Sequence, residues 1–280
     1  MIGVQPESFA YARLKEHAAE RSVLLQRLNE TILEDSKVAA AWLYGSLARG
    51  DEDDLSDIDI RVVIGNEWME QALSSRYEFM ALVAEPLMIL EAPQNRPPGG
   101  AFNMALYAGT VAPHQVDFTW SSSATTQIPT GVRVLHNPAG LPLSGEPMEF
   151  AYQSVPERSR EEEIRQALHG FWSMLLIVGK YAARNPFEER MGLLQWTVPQ
   201  LRGAQQFAGF LPGPPFEELE PVPEPAEKIG LLRTLAAEAC ALSERLAKKS
   251  VEPPVRFEPH ARQYLDLVET VMLATTRERS

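Results

Sequence analysis

The sequence is poor in three things, and each shortage excludes a class of protein. It holds one cysteine, Cys240, in 280 residues. No internal disulfide can form, so a stapled secreted scaffold is excluded and a packing residue in a reducing cytosol is expected. It is short of positive charge, with 26 Lys and Arg against 38 Asp and Glu and a formal net charge of −12. A generic nucleic-acid or anionic-membrane binder needs the opposite sign, because phosphate contacts are made by Lys and Arg. The bulk field instead favours cationic partners or bound metal ions. It also lacks long apolar runs: residues 82–89 are broken by Glu85 and Pro86, and residues 174–178 are flanked by Gly179 and Lys180. With residues 1–20 mixing Tyr, Lys, Arg and Glu, no transmembrane or targeting segment is read, and cytoplasmic residence without membrane partners is expected. What remains is ordinary globular composition, 45% hydrophobic and 23% charged, in a chain long enough for one or two domains.

Residues 9–33 place Leu14, Ala18, Leu24, Leu25, Leu28 and Leu33 at helical intervals, which predicts an amphipathic helix. VAAAWLY, residues 38–44, and residues 57–64 read as two adjacent strands joined by a short acidic turn. A helix over 66–83, a strand opened by Pro86, and an antiparallel pair from FNMALYA and QVDFTW follow, with VRVLHN at 132–137 as one more short strand. After about residue 150 long helical patterns take over. They predict helices over 157–184, over 187–211 with Pro199 kinking or splitting it, over 227–249 and over 259–277. Six prolines between residues 211 and 227 form a semi-rigid connector. The first half is therefore α/β or α+β and the second all-helical, with a boundary between residues 1–150 and 151–280.

The informative segment is YGSLARGDEDDLSDIDI, residues 44–60, with six carboxylates between Asp51 and Asp59. Strand alternation sends Asp57 and Asp59 to one face and Ile58 and Ile60 to the other. Two neighbouring carboxylates repel unless a positive charge sits between them, and a hard divalent cation such as Mg²⁺ prefers oxygen ligands of this kind. Gly45 offers an unhindered backbone just after a strand, and Ser46 adds a hydroxyl donor where turn amides bind anions. Strand, Gly-Ser turn and carboxylate pair make a place for a metal-bound triphosphate.

The pattern G45-S46-L47-A48-R49-G50, followed by S56-D57-I58-D59, resembles the nucleotidyltransferase superfamily related to DNA polymerase β. Its finer form is similar to the branch of small bacterial antibiotic adenylyltransferases acting on aminoglycosides or lincosamides. The resemblance implies an α+β fold in which a mixed sheet flanked by helices precedes an all-helical substrate-binding or lid domain. It implies a third carboxylate on a later strand, met by Asp117 in QVDFTW, so that Asp57, Asp59 and Asp117 hold one or two Mg²⁺ ions. Gly45 and Ser46 then hold the phosphates of ATP or another NTP. Transfer of a nucleoside monophosphate, AMP, to a hydroxyl of a small molecule releases pyrophosphate, and a negative protein suits a cationic acceptor rather than a nucleic-acid strand. Asp117 or one of Glu161–Glu163 serves as general base. Arg49 and Ser56 either touch phosphate or pair with the acidic loop and cap a turn. The antibiotic branch implies a Lys from the helical half on the phosphates, met by Lys180, four residues before Arg184; the alternative is a basic helix end satisfying its own carbonyls.

Two other readings keep the fold: an antitoxin-like enzyme that modifies a protein, and a non-catalytic nucleotide-binding module. Elsewhere His114, His136 and His169 lack metal-ligand spacing, and Phe171, Trp172 and Tyr181 read as core.

Overall fold

The computed structural model describes residues 9–148, 153–155, 157–248 and 257–277. They form two compact units. Of the described residues, the sheet unit holds 18–107, 114–148 and 153–155, and the helical unit 9–17, 108–113, 157–248 and 257–277. The architecture is α+β, with a mixed sheet and its helices followed by a run of long helices.

The sheet unit opens with the continuation of α1 (Phe9–Glu34), whose Leu24, Leu28 and Ile32 are buried. β1 (Val38–Tyr44) follows, then the single-turn α2 (Gly45–Arg49), then β2 (Ile58–Ile64), which pairs antiparallel with β1. The acidic connection between the strands is thus a helical turn plus a loop, where the sequence suggests a turn alone. A short 3₁₀ turn (Asn66–Trp68), α3 (Met69–Ser74) and α4 (Arg76–Val83) replace the single helix expected over 66–83. The interruption has a local cause: the hydroxyls of Ser74 and Ser75 both donate to the carbonyl of Gln71, competing with the helical ladder.

β3 (Pro86–Glu91), β4 (Ala101–Tyr107) and β5 (His114–Ser122) complete an antiparallel run, and β5 then pairs parallel with β2. β7 (Arg133–His136) adds to the free edge of β1, so the strand order is β3-β4-β5-β2-β1-β7. β6 (Ile128–Thr130) and β8 (Leu143–Pro147) form a separate parallel pair that the sequence pattern does not reveal. On one face of the large sheet, Ile58, Ile60, Val62, Val116, Phe118 and Trp120 pack with α1, α3 and α4 as the core.

The helical unit contains α5 (Arg160–Arg184), α6 (Leu194–Phe207), α7 (Pro225–Ala247) and α8 (Phe257–Arg277). α5 begins at Ser159, whose side chain accepts from the Glu162 amide while the Glu162 carboxylate accepts from the Ser159 amide, a capping box. α6 is shorter than the span expected from 187 to 211, and it runs through Pro199 without splitting. The β4–β5 tip, residues 108–113, belongs to this unit: Arg13 donates to the Val111 carbonyl and Gln263 to that of Thr110. Among the described residues no helix is long and apolar enough to cross a membrane.

Candidate active site

β2 presents Ile58, Ile60 and Val62 to the core, so Asp59 and Arg61 must lie on the opposite face. Register then fixes their neighbours. Asp59 stands directly opposite Asp117 on β5 and opposite Tyr44 on β1, while Arg61 faces Thr119 and Trp42. Asp57 stands two residues before Asp59, at the entry to the strand. Parallel pairing of two strands more than fifty residues apart thus brings Asp59 and Asp117 side by side (roughly 5 Å between adjacent strands).

Gly45 is fitted to this carboxylate. Its φ of +68° lies in the left-handed region, and a Cβ built there would stand 2.1 Å from Asp59 Oδ2. No side chain fits without displacing Asp59. Ser46 follows within α2, and Gly50, with φ of +74°, ends that turn by donating its amide to the Ser46 carbonyl.

The six carboxylates of residues 51–59 divide by role. Asp51 accepts from Arg49 Nε at 3.1 Å on an exposed surface. Asp53 builds the turn: its Oδ1 accepts from the Leu55 amide and the Ser56 hydroxyl, and Ser56 Oγ accepts from the Asp53 amide. Ser56 is 3% exposed, so its hydroxyl serves the turn, and Arg49 pairs with the loop. The same turn is held by Arg21 of α1, which the sequence reading missed. Its Nη1 donates to the carbonyls of Asp53 at 2.6 Å and Ser56 at 2.9 Å. Burial lowers its pKa, and the surrounding Glu52, Asp54, Asp53 and Asp57 act against that. Arg21 is a fixed positive charge under the acidic loop, tied to the strand entry where Asp57 stands.

A second group missed in the sequence lies on the same sheet face. The Tyr44 hydroxyl and Thr119 Oγ1 are hydrogen-bonded at 3.0 Å, both buried, so the phenol reaches over β2 between Asp59 and Arg61. Burial pushes the Tyr44 pKa far up, Asp59 and Asp117 push it further, and Arg61 opposes them. The Tyr44 hydroxyl therefore stays protonated. Arg61 is itself lowered by burial, and its Nε has no hydrogen-bond partner among the described residues, nor do Trp42 Nε1 and Ser121 Oγ close by on this face. Extending the alternation from Asp57 and Asp59 by two residues reaches Arg61, so that signal was present in the sequence. The Tyr44–Thr119 bond depends on strand pairing and was not legible. Gln115 Nε2 donates to Asp117 Oδ1 at 2.8 Å and orients it.

All-oxygen carboxylates on adjoining strands suit a hard divalent cation. Among the described residues, however, no three His, Cys, Asp or Glu side chains are drawn together to hold a metal ion.

Lys180 lies on α5 of the helical unit and is 7% exposed, while Arg184 stacks over the Tyr181 ring at 5.5 Å. Phe171 and Trp172 are core, as expected, but Tyr181 is 48% exposed. Glu161–Glu163 occupy the first turn of α5, with Glu162 committed to the cap. His114 is buried against Glu20 at 3.3 Å. Cys240 is half-buried, and burial with its hydrogen bond to Glu258 pushes the thiol up to about 12, so it is an inert packing residue.

No curated protein matches the chain. The family model described as polymerase beta, nucleotidyltransferase, matches residues 26–95, a span that holds the Gly45 turn, Asp57 and Asp59 but ends before Asp117. That match, laid over the Gly45–Asp59 geometry, supports a nucleotidyltransferase domain of the polymerase-β-like superfamily in the sheet unit.

Proposed function

We propose that the protein transfers a nucleoside monophosphate, AMP from ATP, to a hydroxyl of a small cationic molecule of aminoglycoside type, with release of pyrophosphate. The observation that carries this reading is the register of β2 and β5, which sets the half-buried Asp59 against the half-buried Asp117 on one sheet face with Gly45 pressed against Asp59. Asp57, Asp59 and Asp117 would hold Mg²⁺, which when bound neutralises triphosphate charge and polarises its oxygens. Gly45, with no Cβ, and Ser46, with its hydroxyl, receive the β- and γ-phosphates at the turn. The acceptor oxygen forms a bond to the α-phosphorus as the bond from that phosphorus to the bridging oxygen of pyrophosphate breaks. In this reading Asp117 takes the acceptor's proton, and its hydrogen bond from Gln115 orients one of its oxygens for that role. Tyr44 stays neutral beside Asp59 and Asp117 and adds no third negative charge to the site. The net charge of −12 draws a cationic acceptor.

The test is pyrophosphate release with Mg²⁺ and each NTP in turn, screened against aminoglycosides and lincosamides, beside Asp57→Asn and Asp59→Asn variants. Turnover with ATP and a cationic acceptor, lost in both variants, supports the reading. Turnover no greater than in the variants with every pair sinks it, and label appearing on a protein when lysate is added moves the acceptor from small molecule to polypeptide.

A further inference from the structure

The helical unit contains a cavity of about 330 Å³ framed by the C-terminal end of α5, the loop before α6 and the first turn of α7. That volume falls within the range of small-ligand sites, about 300–1,000 Å³. Its inner wall is apolar, from Val178, Ala182 and Met191, each buried. Its side is the Tyr181 ring, braced by Arg184.

The frame is fastened at three points. The Met191 amide donates to Glu220 Oε1 at 2.7 Å, and the Val222 amide to the Glu189 carbonyl at 2.9 Å. Lys228, 1% exposed, donates from Nζ to the Pro186 carbonyl at 2.7 Å and to the Glu188 carbonyl. An ammonium has three donors, and those two bonds use two of them. No carboxylate among the described residues forms an ion pair with Lys228, although Glu188 and Glu224 lie near enough to raise its pKa against the lowering caused by burial. A buried charge whose nearby carboxylates form no ion pair with it is incompletely neutralised, and an anion at hydrogen-bond distance relieves it. Lys228 lines the cavity, and Arg190 also lines it from an exposed position, so two positive groups and one negative one, Glu188, meet there in a chain that is acidic overall.

We propose that this cavity binds a small organic anion, a carboxylate or phosphate monoester on an apolar body, with the anionic group on Lys228 and Arg190 and the body against Tyr181 and Met191. The site is independent of the nucleotidyl-transfer reading: the cationic acceptor proposed there carries the wrong charge for it.

Gly192 supplies a test that leaves the lysine clamp intact. It lines the cavity, and a Cβ built on it meets no atom within 4 Å, so Gly192→Leu fills space without a clash at Cβ. The experiment titrates the full chain with benzoate, phenyl phosphate and neutral benzyl alcohol by calorimetry, in wild type, Gly192→Leu and Arg190→Gln, with thermal unfolding of each. The expected result is saturable binding of benzoate or phenyl phosphate, about tenfold or more tighter than benzyl alcohol because the contact is charge-assisted. It should be lost in Gly192→Leu and weakened about fivefold or more in Arg190→Gln, an exposed position where folding is unaffected. No saturable anion binding, equal binding of the alcohol, or unchanged affinity in Arg190→Gln overturns the proposal.

Discussion

The two faces of the central strands are built from alternate residues of the same segments, yet they obey different rules. On one face Ile58, Ile60, Val116, Phe118 and Trp120 close into a core with α1, and Phe118 stacks on Trp120 with ring centroids 5.8 Å apart. On the other, Tyr44, Asp59, Arg61, Asp117 and Thr119 stand in register, with polar atoms of Trp42, Arg61 and Ser121 left without partners among the described residues. Buried polar atoms without partners cost stability, about 1–3 kcal/mol each. The packed face has one such atom of its own, Trp120 Nε1, and the carboxylate face is itself closed by an apolar cluster of Ala40, Trp42, Val63 and Ile128, so what sets that face apart is its charged groups.

The comparison breaks most visibly at Phe118. Phe118→Ala leaves a cavity in the packed face and is expected to cost about 3–5 kcal/mol, a large part of the roughly 5–15 kcal/mol that holds a domain folded; urea unfolding measures it. One residue earlier, on the other face, Asp117→Asn should leave the unfolding midpoint within about 0.5 kcal/mol of wild type. It should lower turnover by about 10³-fold, read from pyrophosphate release.

Arg61 gives the next effect. Arg61→Met removes a half-buried charge whose Nε has no hydrogen-bond partner among the described residues, so stability should hold or rise by about 1 kcal/mol, the reverse of any truncation on the packed face. A clear loss of stability would show that Arg61 belongs to the fold.

The smallest effect compares two buried tyrosines, Tyr44 on the carboxylate face and Tyr107 on the packed one. Burial raises both pKa values. The folded chain therefore keeps both protonated while the unfolded chain ionises them above about pH 10. Stability is fully present below that pH and falls as pH rises through and beyond it. Tyr44→Phe and Tyr107→Phe, each losing one hydrogen bond, should cost about 1 kcal/mol at pH 7. Each should also flatten the loss between pH 8 and 10.5 followed by urea midpoints.

Much of this was legible because period-two and helical patterns report local structure directly. β1, β2, β4 and β5 fall where alternation and apolar runs place them, and α1 where its leucines do. α5 starts three residues later than the helix expected from 157, at the capping box of Ser159 and Glu162. β6 and β8 escaped because they are short and carry Pro129, Gly145 and Pro147, which erase the alternation. At the site, Gly45, Asp57 and Asp59 were visible as a local motif. Arg21 under the acidic loop and the Tyr44–Thr119 bond were not, because both depend on contacts between distant segments.

The proposed function requires the carboxylate-bearing face of β2 and β5 to bind a metal-nucleotide. It is tested most directly by titrating a non-hydrolysable ATP analogue, with Mg²⁺ and without, into wild type, Asp59→Asn and Glu52→Gln, the last carrying the same charge change in the exposed loop. Mg²⁺-dependent binding is expected, about tenfold or more weaker in Asp59→Asn and unchanged in Glu52→Gln. Equal affinity in all three proteins, or binding indifferent to Mg²⁺, would contradict it.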